Sequence, residues 1–228
     1  MSSLSDRQRM REDEVLRGNA KLATSASSRG TLTRLLTDWS FTSRVVRYLV
    51  HLPVRMETED RRVLEQVIFP YFGTLPTMHS VLFVGCDWYT RHYPQTYFRG
   101  KDYWTIDPAS GQRKFAGKQH IVGALERLDD FFPPERFDLI VCNGVYGFGL
   151  DTREQCERAF DLCQSRLKSG GHFVFGWDDV PARTPVPLTE IASLQRLPAF
   201  PFPPLGSSRY VTNTPYRHTY DFYRKSST

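Results

Sequence analysis

The sequence lacks several features that would assign it to common protein classes. No run of about 18 apolar residues occurs, so no transmembrane helix is predicted. The N-terminal segment has no apolar stretch of the kind found in secretion signals, and we expect a cytoplasmic protein. The cysteines show no CxxC or Cys/His spacing, so we expect no metal site and interpret them as reduced core residues. They are Cys86, Cys142, Cys156 and Cys163.

Positive charge is present but is not concentrated. The formal net charge is +5, yet the arginines of the N-terminal quarter are interrupted by the acidic stretches EDE and ETED. Nucleic-acid-binding proteins usually gather their charge in a patch or stripe. Nucleic acid is therefore an unlikely partner, although the basic N-terminal arm keeps an RNA-directed activity open as an alternative.

The chain divides by composition into two parts. Residues 1–30 are polar, and residues 31–55 carry leucines and valines at helical spacing. We predict an N-terminal arm and helical lid over 1–55 and a globular domain over 56–228. That domain opens with a predicted helix over 57–71, whose apolar face is formed by Val63, Leu64, Val67, Ile68 and Tyr71.

Strands and helices then alternate regularly. A strong helix is predicted after Asp151 as N-cap, with Glu154 three residues on and Gly170–Gly171 ending it. The apolar runs around it suit buried strands of a parallel sheet, and the predicted strands are 81–84, 103–106, 120–123, 137–142 and 172–177. The final segments SRYVTN and RHTYDFYRK predict an antiparallel pair. The fold class is therefore α/β, with a doubly wound, mostly parallel sheet.

Four stretches in this order resemble the class I S-adenosylmethionine-dependent methyltransferases: VLFVGC, YWTID, FDLIVCNGVYGF and LKSGGHFVFGW. The resemblance covers roughly residues 57–225. It implies a Rossmann-like sheet of seven strands, the last two antiparallel, preceded by an N-terminal helical extension. It also implies S-adenosylmethionine as cofactor and a catalytic domain over 56–228.

The resemblance also implies where the cofactor binds. Asp107 ends the second strand 22 positions after Gly85, where nucleotide-binding α/β folds place a carboxylate for the ribose hydroxyls. The G-x-G-x-x-G pattern of dehydrogenases is absent, which disfavours NAD. The cofactor-binding residues expected from the resemblance are Gly85, Cys86, Asp87, Trp88, Tyr89, Asp107, Pro108, Ala124, Leu125, Asn143 and Gly144.

The loop after the first strand departs from the family pattern G-x-G-x-G. Asp87 and Tyr89 occupy the two later glycine positions, and a side chain is tolerated there only where φ stays negative. Either Asp87 faces the ammonium of the cofactor while Trp88 or Tyr89 closes over the pocket, or the protein is an inactive binding or scaffold protein. We favour a working site because Asp107 and the polar break at Asn143 are retained.

The methyl acceptor is expected beyond the carboxyl ends of the fourth and fifth strands. Asn143, Tyr146 and Phe148 follow one strand, and Trp177, Asp178 and Asp179 end the other. A general base is needed only if the acceptor must lose a proton. The candidate catalytic residues are Asp178, Asp179, His218 and Tyr146, with structural roles as alternatives, His218 above all. We predict a small-molecule O or N acceptor, and the oligomeric state stays open, a homodimer included.

A cover for the acceptor pocket is also predicted. Residues 31–55 must bury their leucines, and the Pro/Phe-rich stretch LPAFPFPPLG follows the fifth strand. We expect both segments to roof the acceptor pocket, exclude water from it and set substrate choice.

Overall fold

The computed structural model describes residues 57–227, and the predicted arm and lid over 1–55 lie outside them. The α-helices are α1 (Glu59–Val63), α2 (Phe69–Thr74), α3 (Tyr93–Thr96), α4 (Arg153–Arg166) and α5 (Ala192–Gln195), with a π-helical segment, Leu64–Ile68, between α1 and α2. The strands are β1 (Ser80–Val84), β2 (Asp102–Asp107), β3 (Gln119–Val122), β4 (Phe137–Asn143), β5 (Leu167–Asp178), β6 (Arg209–Val211) and β7 (His218–Arg224). Short 3₁₀ helices span Ser110–Phe115, Leu125–Asp130, Pro181–Arg183, Leu188–Glu190 and Pro203–Leu205.

The strands form one seven-stranded sheet in the order β3-β2-β1-β4-β5-β7-β6. The first five are parallel, whereas β7 runs antiparallel to both β5 and β6. This arrangement confirms the predicted doubly wound sheet and its antiparallel final pair. The carboxyl ends of the five parallel strands meet at one edge, called the carboxyl edge below, and β7 begins there because His218 pairs with Asp178.

Both faces of the sheet are covered, as the apolar strand runs predict. Along β1, Val81 and Phe83 pack on the side of α1 and α2, while Leu82 and Val84 pack on the side of α4. All four side chains are buried. Each such side chain contributes about 1.5–3 kcal/mol relative to exposure, so these two cores fix the strands that carry the site.

The N-terminal cap of α4 differs from the prediction by one residue. Thr152 is the N-cap, and its hydroxyl accepts a hydrogen bond from the Gln155 amide at 3.2 Å, while Gln155 Oε1 accepts from the Thr152 amide at 3.1 Å. The predicted cap, Asp151, instead donates its own amide to Gln155 Oε1. A reciprocal capping box satisfies two helix-end donors together, which explains why it forms at this pair.

The sequence predicted that Gly170–Gly171 end α4, and this prediction is wrong. The helix ends at Arg166, and Leu167 already has extended backbone angles and begins β5. The two glycines lie inside β5, where its register with β4 shifts between Phe137 and Leu139. A Cβ on Gly171 would lie 2.9 Å from the Lys168 carbonyl oxygen. The glycines therefore permit an irregular strand start.

The Pro/Phe-rich stretch does not roof the acceptor side, and that prediction is wrong. The Phe200 amide donates to the Phe222 carbonyl at 2.8 Å, and the Arg224 amide donates to the Pro198 carbonyl at 3.0 Å. These residues of β7 pair with the His172 region of β5, far along the strand from the carboxyl edge. Phe202 is fully buried against Phe222. The aromatic side chains of this segment belong to the core, so the segment packs at the end of the sheet opposite the carboxyl edge.

Three further findings concern the cysteines, membrane-spanning helices and metal ligands. Cys86, Cys142, Cys156 and Cys163 are free thiols and all are buried, which confirms their interpretation as reduced core residues. Among residues 57–227, no helix has the length and hydropathy needed to cross a membrane, and no three His, Cys, Asp or Glu side chains of this region are grouped as metal ligands.

Candidate active site

The turn after β1 keeps its first glycine for a conformational reason. Gly85 has φ +85°, and its amide donates to the Ile106 carbonyl at 2.9 Å. A Cβ there would lie 3.2 Å from Val145 Cγ1. A left-handed backbone with little free space requires glycine, so the chain leaves β1 with bare backbone at the carboxyl edge.

The rest of the loop is built without glycine. In residues 57–227, positive φ outside glycine occurs at Glu135 and Arg217, so Asp87, Trp88 and Tyr89 all have negative φ. Thr90 holds the turn, because its hydroxyl accepts from the Asp87 amide at 3.1 Å and donates to the Asp87 carbonyl at 2.8 Å. Asp87 Oδ1 accepts from the Trp88 amide at 2.7 Å. Side-chain hydrogen bonds thus replace the family's later glycines.

Asp107 lies against this turn. It ends β2, is 9% exposed, and accepts hydrogen bonds from the Cys86 amide at 2.9 Å and the Ala109 amide at 2.8 Å. A carboxylate offers about four acceptor positions, so two remain for other donors. Its neighbour Pro108 is exposed. The arrangement fits a ribose, whose two hydroxyls are both donors.

The exit of β3 adjoins Asp107. The Gly123 amide donates to the Asp107 carbonyl at 3.1 Å, and Ala124 then caps the 3₁₀ helix that begins at Leu125. A Cβ on Gly123 would lie 2.7 Å from the Phe131 ring. Leu125 is buried in the core on the α4 side. The residues expected on the adenine side therefore follow β3, the strand next to β2, which ends at Asp107.

Two of the four candidate catalytic residues lie together at the carboxyl edge. His218 Nδ1 is 2.6 Å from Asp178 Oδ1, and His218 Nε2 is 3.0 Å from Asn143 Oδ1. Arg183 Nη1 donates to Asp178 Oδ2 at 2.6 Å. Burial alone would raise the pKa of Asp178, but the hydrogen bond and charge of His218 and the hydrogen bond from Arg183 lower it. Three adjacent strands, β4, β5 and β7, thus supply one buried polar cluster. The backbone of Gly144, which follows Asn143, joins it to β5, since its amide donates to the Gly176 carbonyl at 2.9 Å.

The other two candidates lie apart from this cluster. Tyr146 is fully buried and its hydroxyl donates to the Val186 carbonyl, while burial raises its pKa to about 12. Asp179 forms an ion pair with Arg217 at 3.3 Å, and its side chain is 42% exposed. Trp177, expected on the acceptor side, is buried and donates its indole N–H to Asp221. These side chains are therefore engaged in contacts within the protein.

Sequence reasoning missed two groups at the site. Arg61 of α1 donates Nη2 to the Tyr89 hydroxyl at 3.1 Å, and its guanidinium lies 4.3 Å from the Tyr89 ring centre. Its neighbour Asp60 accepts from the Tyr216 hydroxyl at 3.1 Å. The first turn of α1 therefore connects the β1 loop to the turn before β7. The acidic first turn was visible in the sequence, but nothing there indicated contacts with tyrosines so far along the chain.

The fold and the site define a class of protein: a doubly wound sheet with a buried carboxylate, Asp107, beside the β1 turn. Residues 82–175 match the family model described as methyltransferase domain. Residues 82–175 therefore form a methyltransferase domain, and S-adenosylmethionine is the cofactor of this family.

Solved structures share this fold at low identity. The N-methyltransferase NodS from Bradyrhizobium japonicum WM9 is 18% identical, with a TM-score of 0.55 over 74% of this chain and 97% of NodS, and NodS also has a structure with S-adenosyl-L-homocysteine. A TehB-like methyltransferase from Corynebacterium glutamicum is 18% identical, with a TM-score of 0.52 over 82% and 96%. The [4+2]-cyclase SpnF is 11% identical, with a TM-score of 0.51 over 83% and 94%. No curated protein sequence matches significantly.

Proposed function

We propose that this protein transfers a methyl group from S-adenosylmethionine to an oxygen or nitrogen of a small-molecule acceptor. The observation that carries the proposal is the position of Asp107, whose carboxylate lies 2.9 Å from the Cys86 amide of the β1 turn. The cluster of Asn143, Asp178 and His218 lies on the same edge of the sheet. The donor-side groups therefore lie at the ends of β1 and β2, and the acceptor-side groups lie on β4, β5 and β7, with β4 next to β1.

The chain's own residues would act by binding and orientation. S-adenosylmethionine supplies a methyl group on a sulfonium, which an acceptor displaces in line. Such a reaction gains much of its rate from positioning. Asp107 would hold the ribose hydroxyls, and the bare backbone at Gly85 would let the methionine part approach β1. Asn143 ends β4, between β1 and β7, and would contact the cofactor and the acceptor where they meet at the carboxyl edge.

The structure favours a working loop over an inactive scaffold. The scaffold interpretation depends on Asp87 and Tyr89 blocking the pocket. Tyr89, however, is held by Arg61 on α1, and Asp87 has the negative φ that its side chain requires. Trp88 packs edge-on against Tyr89, with ring centres 5.4 Å apart. The loop therefore forms with Asp87 and Tyr89 at the two positions where the family has glycine.

Calorimetric titration with S-adenosylhomocysteine tests the proposal. The wild-type protein should bind one equivalent per chain. Asp107→Ala should weaken binding by about 1.5–3 kcal/mol, the scale of hydrogen bonds to a charged group. Asp102→Ala is a matched control, since Asp102 begins the same strand at its opposite end and pairs with Arg136. Absence of heat and of a thermal shift for the wild type at millimolar ligand would refute the methyltransferase function.

The acceptor class needs a second assay. Labelled S-adenosylmethionine would be incubated with protein and either a small-molecule extract or total RNA. We expect label in the small-molecule fraction, and RNA retention on nitrocellulose that is weak at both low and high salt. Phosphate contacts would give retention that falls steeply with salt. Label in RNA, with such salt dependence, would refute the small-molecule acceptor and support the RNA alternative.

A further inference from the structure

His218 contacts a protein group through each of its ring nitrogens. Nδ1 lies 2.6 Å from Asp178 Oδ1, and Nε2 lies 3.0 Å from Asn143 Oδ1. The side chain is almost completely buried, at 3% exposure for the residue. Its neighbours come from the ends of β5 and β4, whereas His218 itself begins β7. The ring therefore bridges three strands at the carboxyl edge.

Both ring nitrogens face an oxygen that can accept a hydrogen bond. An ionised carboxylate only accepts hydrogen bonds, so Nδ1 must donate to Asp178. An amide carbonyl oxygen also only accepts, so Nε2 must donate to Asn143. Asp178 lies between this ring and Arg183, which donates to its second oxygen at 2.6 Å.

Gly176 packs closely against the contact between Asn143 and His218. A Cβ at Gly176 would lie 2.0 Å from Asn143 Oδ1 and 3.0 Å from His218 Nε2. Any side chain at this position of β5 would therefore displace the contact between Asn143 and His218. The backbone of Asn143 lies beside the β1 turn, since its carbonyl oxygen would be 3.7 Å from a Cβ on Gly85. Asn143 thus stands between the turn and His218.

We propose that His218 is a positioning residue that holds the carbonyl oxygen of Asn143 and turns the Asn143 amide NH₂ toward the carboxyl edge, as a donor to the bound cofactor. This inference rests on the proposed function. It differs from a general-base role, because both ring nitrogens already contact protein groups. Asp178 accepts from Nδ1, and Arg183 fixes the position of Asp178 by donating to its other oxygen.

Two nearly isosteric variants test the proposal by reversing the donor. In His218→Gln, the side-chain NH₂ must serve Asp178, so its carbonyl faces Asn143 and draws the Asn143 NH₂ away from the edge. In Asn143→Asp, the contact with His218 is retained but an oxygen replaces the NH₂. Both variants should unfold at temperatures close to wild type and bind S-adenosylhomocysteine about tenfold more weakly, the effect of one lost hydrogen bond.

A double-mutant cycle shows whether His218 acts through Asn143. Combining His218→Gln with Asn143→Asp should weaken S-adenosylhomocysteine binding no more than Asn143→Asp alone. His172→Gln is the matched control, because His172 is a partly buried histidine of β5 packed between Phe72 and Phe200. This variant should bind S-adenosylhomocysteine with the same affinity as the wild type.

The outcomes separate this inference from the proposed function. If wild type does not bind S-adenosylhomocysteine, the proposed function fails. If wild type binds, and either His218→Gln or Asn143→Asp binds equally tightly, the positioning role is wrong while the function stands. Additive losses in the cycle would also overturn it, because they would show His218 acting independently of Asn143.

Discussion

The substitution Gly85→Ala tests the conformation on which cofactor binding depends. Gly85 has φ +85°, and an alanine Cβ there would meet Val145 Cγ1 at 3.2 Å. The left-handed backbone costs a residue with a Cβ about 1–2 kcal/mol, and the close contact adds to that cost. For a domain of this size, about 1 kcal/mol lowers Tm by about 2–4 °C. We therefore expect Tm to fall by about 2–8 °C, together with a loss of S-adenosylhomocysteine affinity.

Gly100→Ala is the control for this prediction. Gly100 has φ +78°, but no atom lies within 4 Å of its ideal Cβ, so the variant carries the backbone cost without the contact. Differential scanning fluorimetry should show that Gly100→Ala is also destabilised, but to a smaller extent. Calorimetry should show wild-type ligand affinity for Gly100→Ala only. Equal affinity in both glycine variants would refute the role assigned to the β1 turn.

Two further predictions concern stability. Thr152→Ala removes one half of the α4 capping box and should lower the free energy of unfolding in urea by about 1 kcal/mol, whereas Asp151→Ala should cost less, and the reverse order would contradict the observed cap. Burial, followed by the charge of Arg224, lowers the pKa of His172 to about 4. Since free imidazole titrates near about 6.5, its contribution to stability is complete above that pH and is lost as pH falls toward 4. His172→Phe should make Tm less dependent on pH between these values, and an unchanged pH profile would exclude this cause.

Much of the fold was predictable because buried parallel strands consist of short, mostly apolar runs in the sequence. VLFV is apolar at every position and FDLIVC at every position but Asp138, and both faces of these strands are in fact covered. The spacing from Gly85, combined with the pattern of nucleotide-binding α/β folds, then predicted Asp107 beside the β1 turn. The antiparallel pair at the end was equally clear, because its segments follow turn residues and alternate in polarity.

The errors concern choices between residues with similar propensities. Asp151 and Thr152 are both good N-caps, and Gln155, which decides between them, acts through its side chain. Glycines after a helix normally end it, but here the strand starts first and uses them for its own irregularity. The link from Arg61 to Tyr89 joins residues 28 positions apart. Such contacts depend on tertiary packing, which periodicity does not encode.

The position of β7 has a consequence for synthesis of the protein. Among residues 57–227, β7 is the last strand in sequence order, yet it lies inside the sheet, between β5 and β6. While the ribosome is still adding residues before 218, the backbone groups of β5 that later pair with β7 have no strand beside them. An open strand edge of this kind is a template for pairing with other chains. Translation that stalls or terminates shortly before His218 should therefore give aggregation-prone products, and nascent chains are expected to need protection until the final strand has emerged.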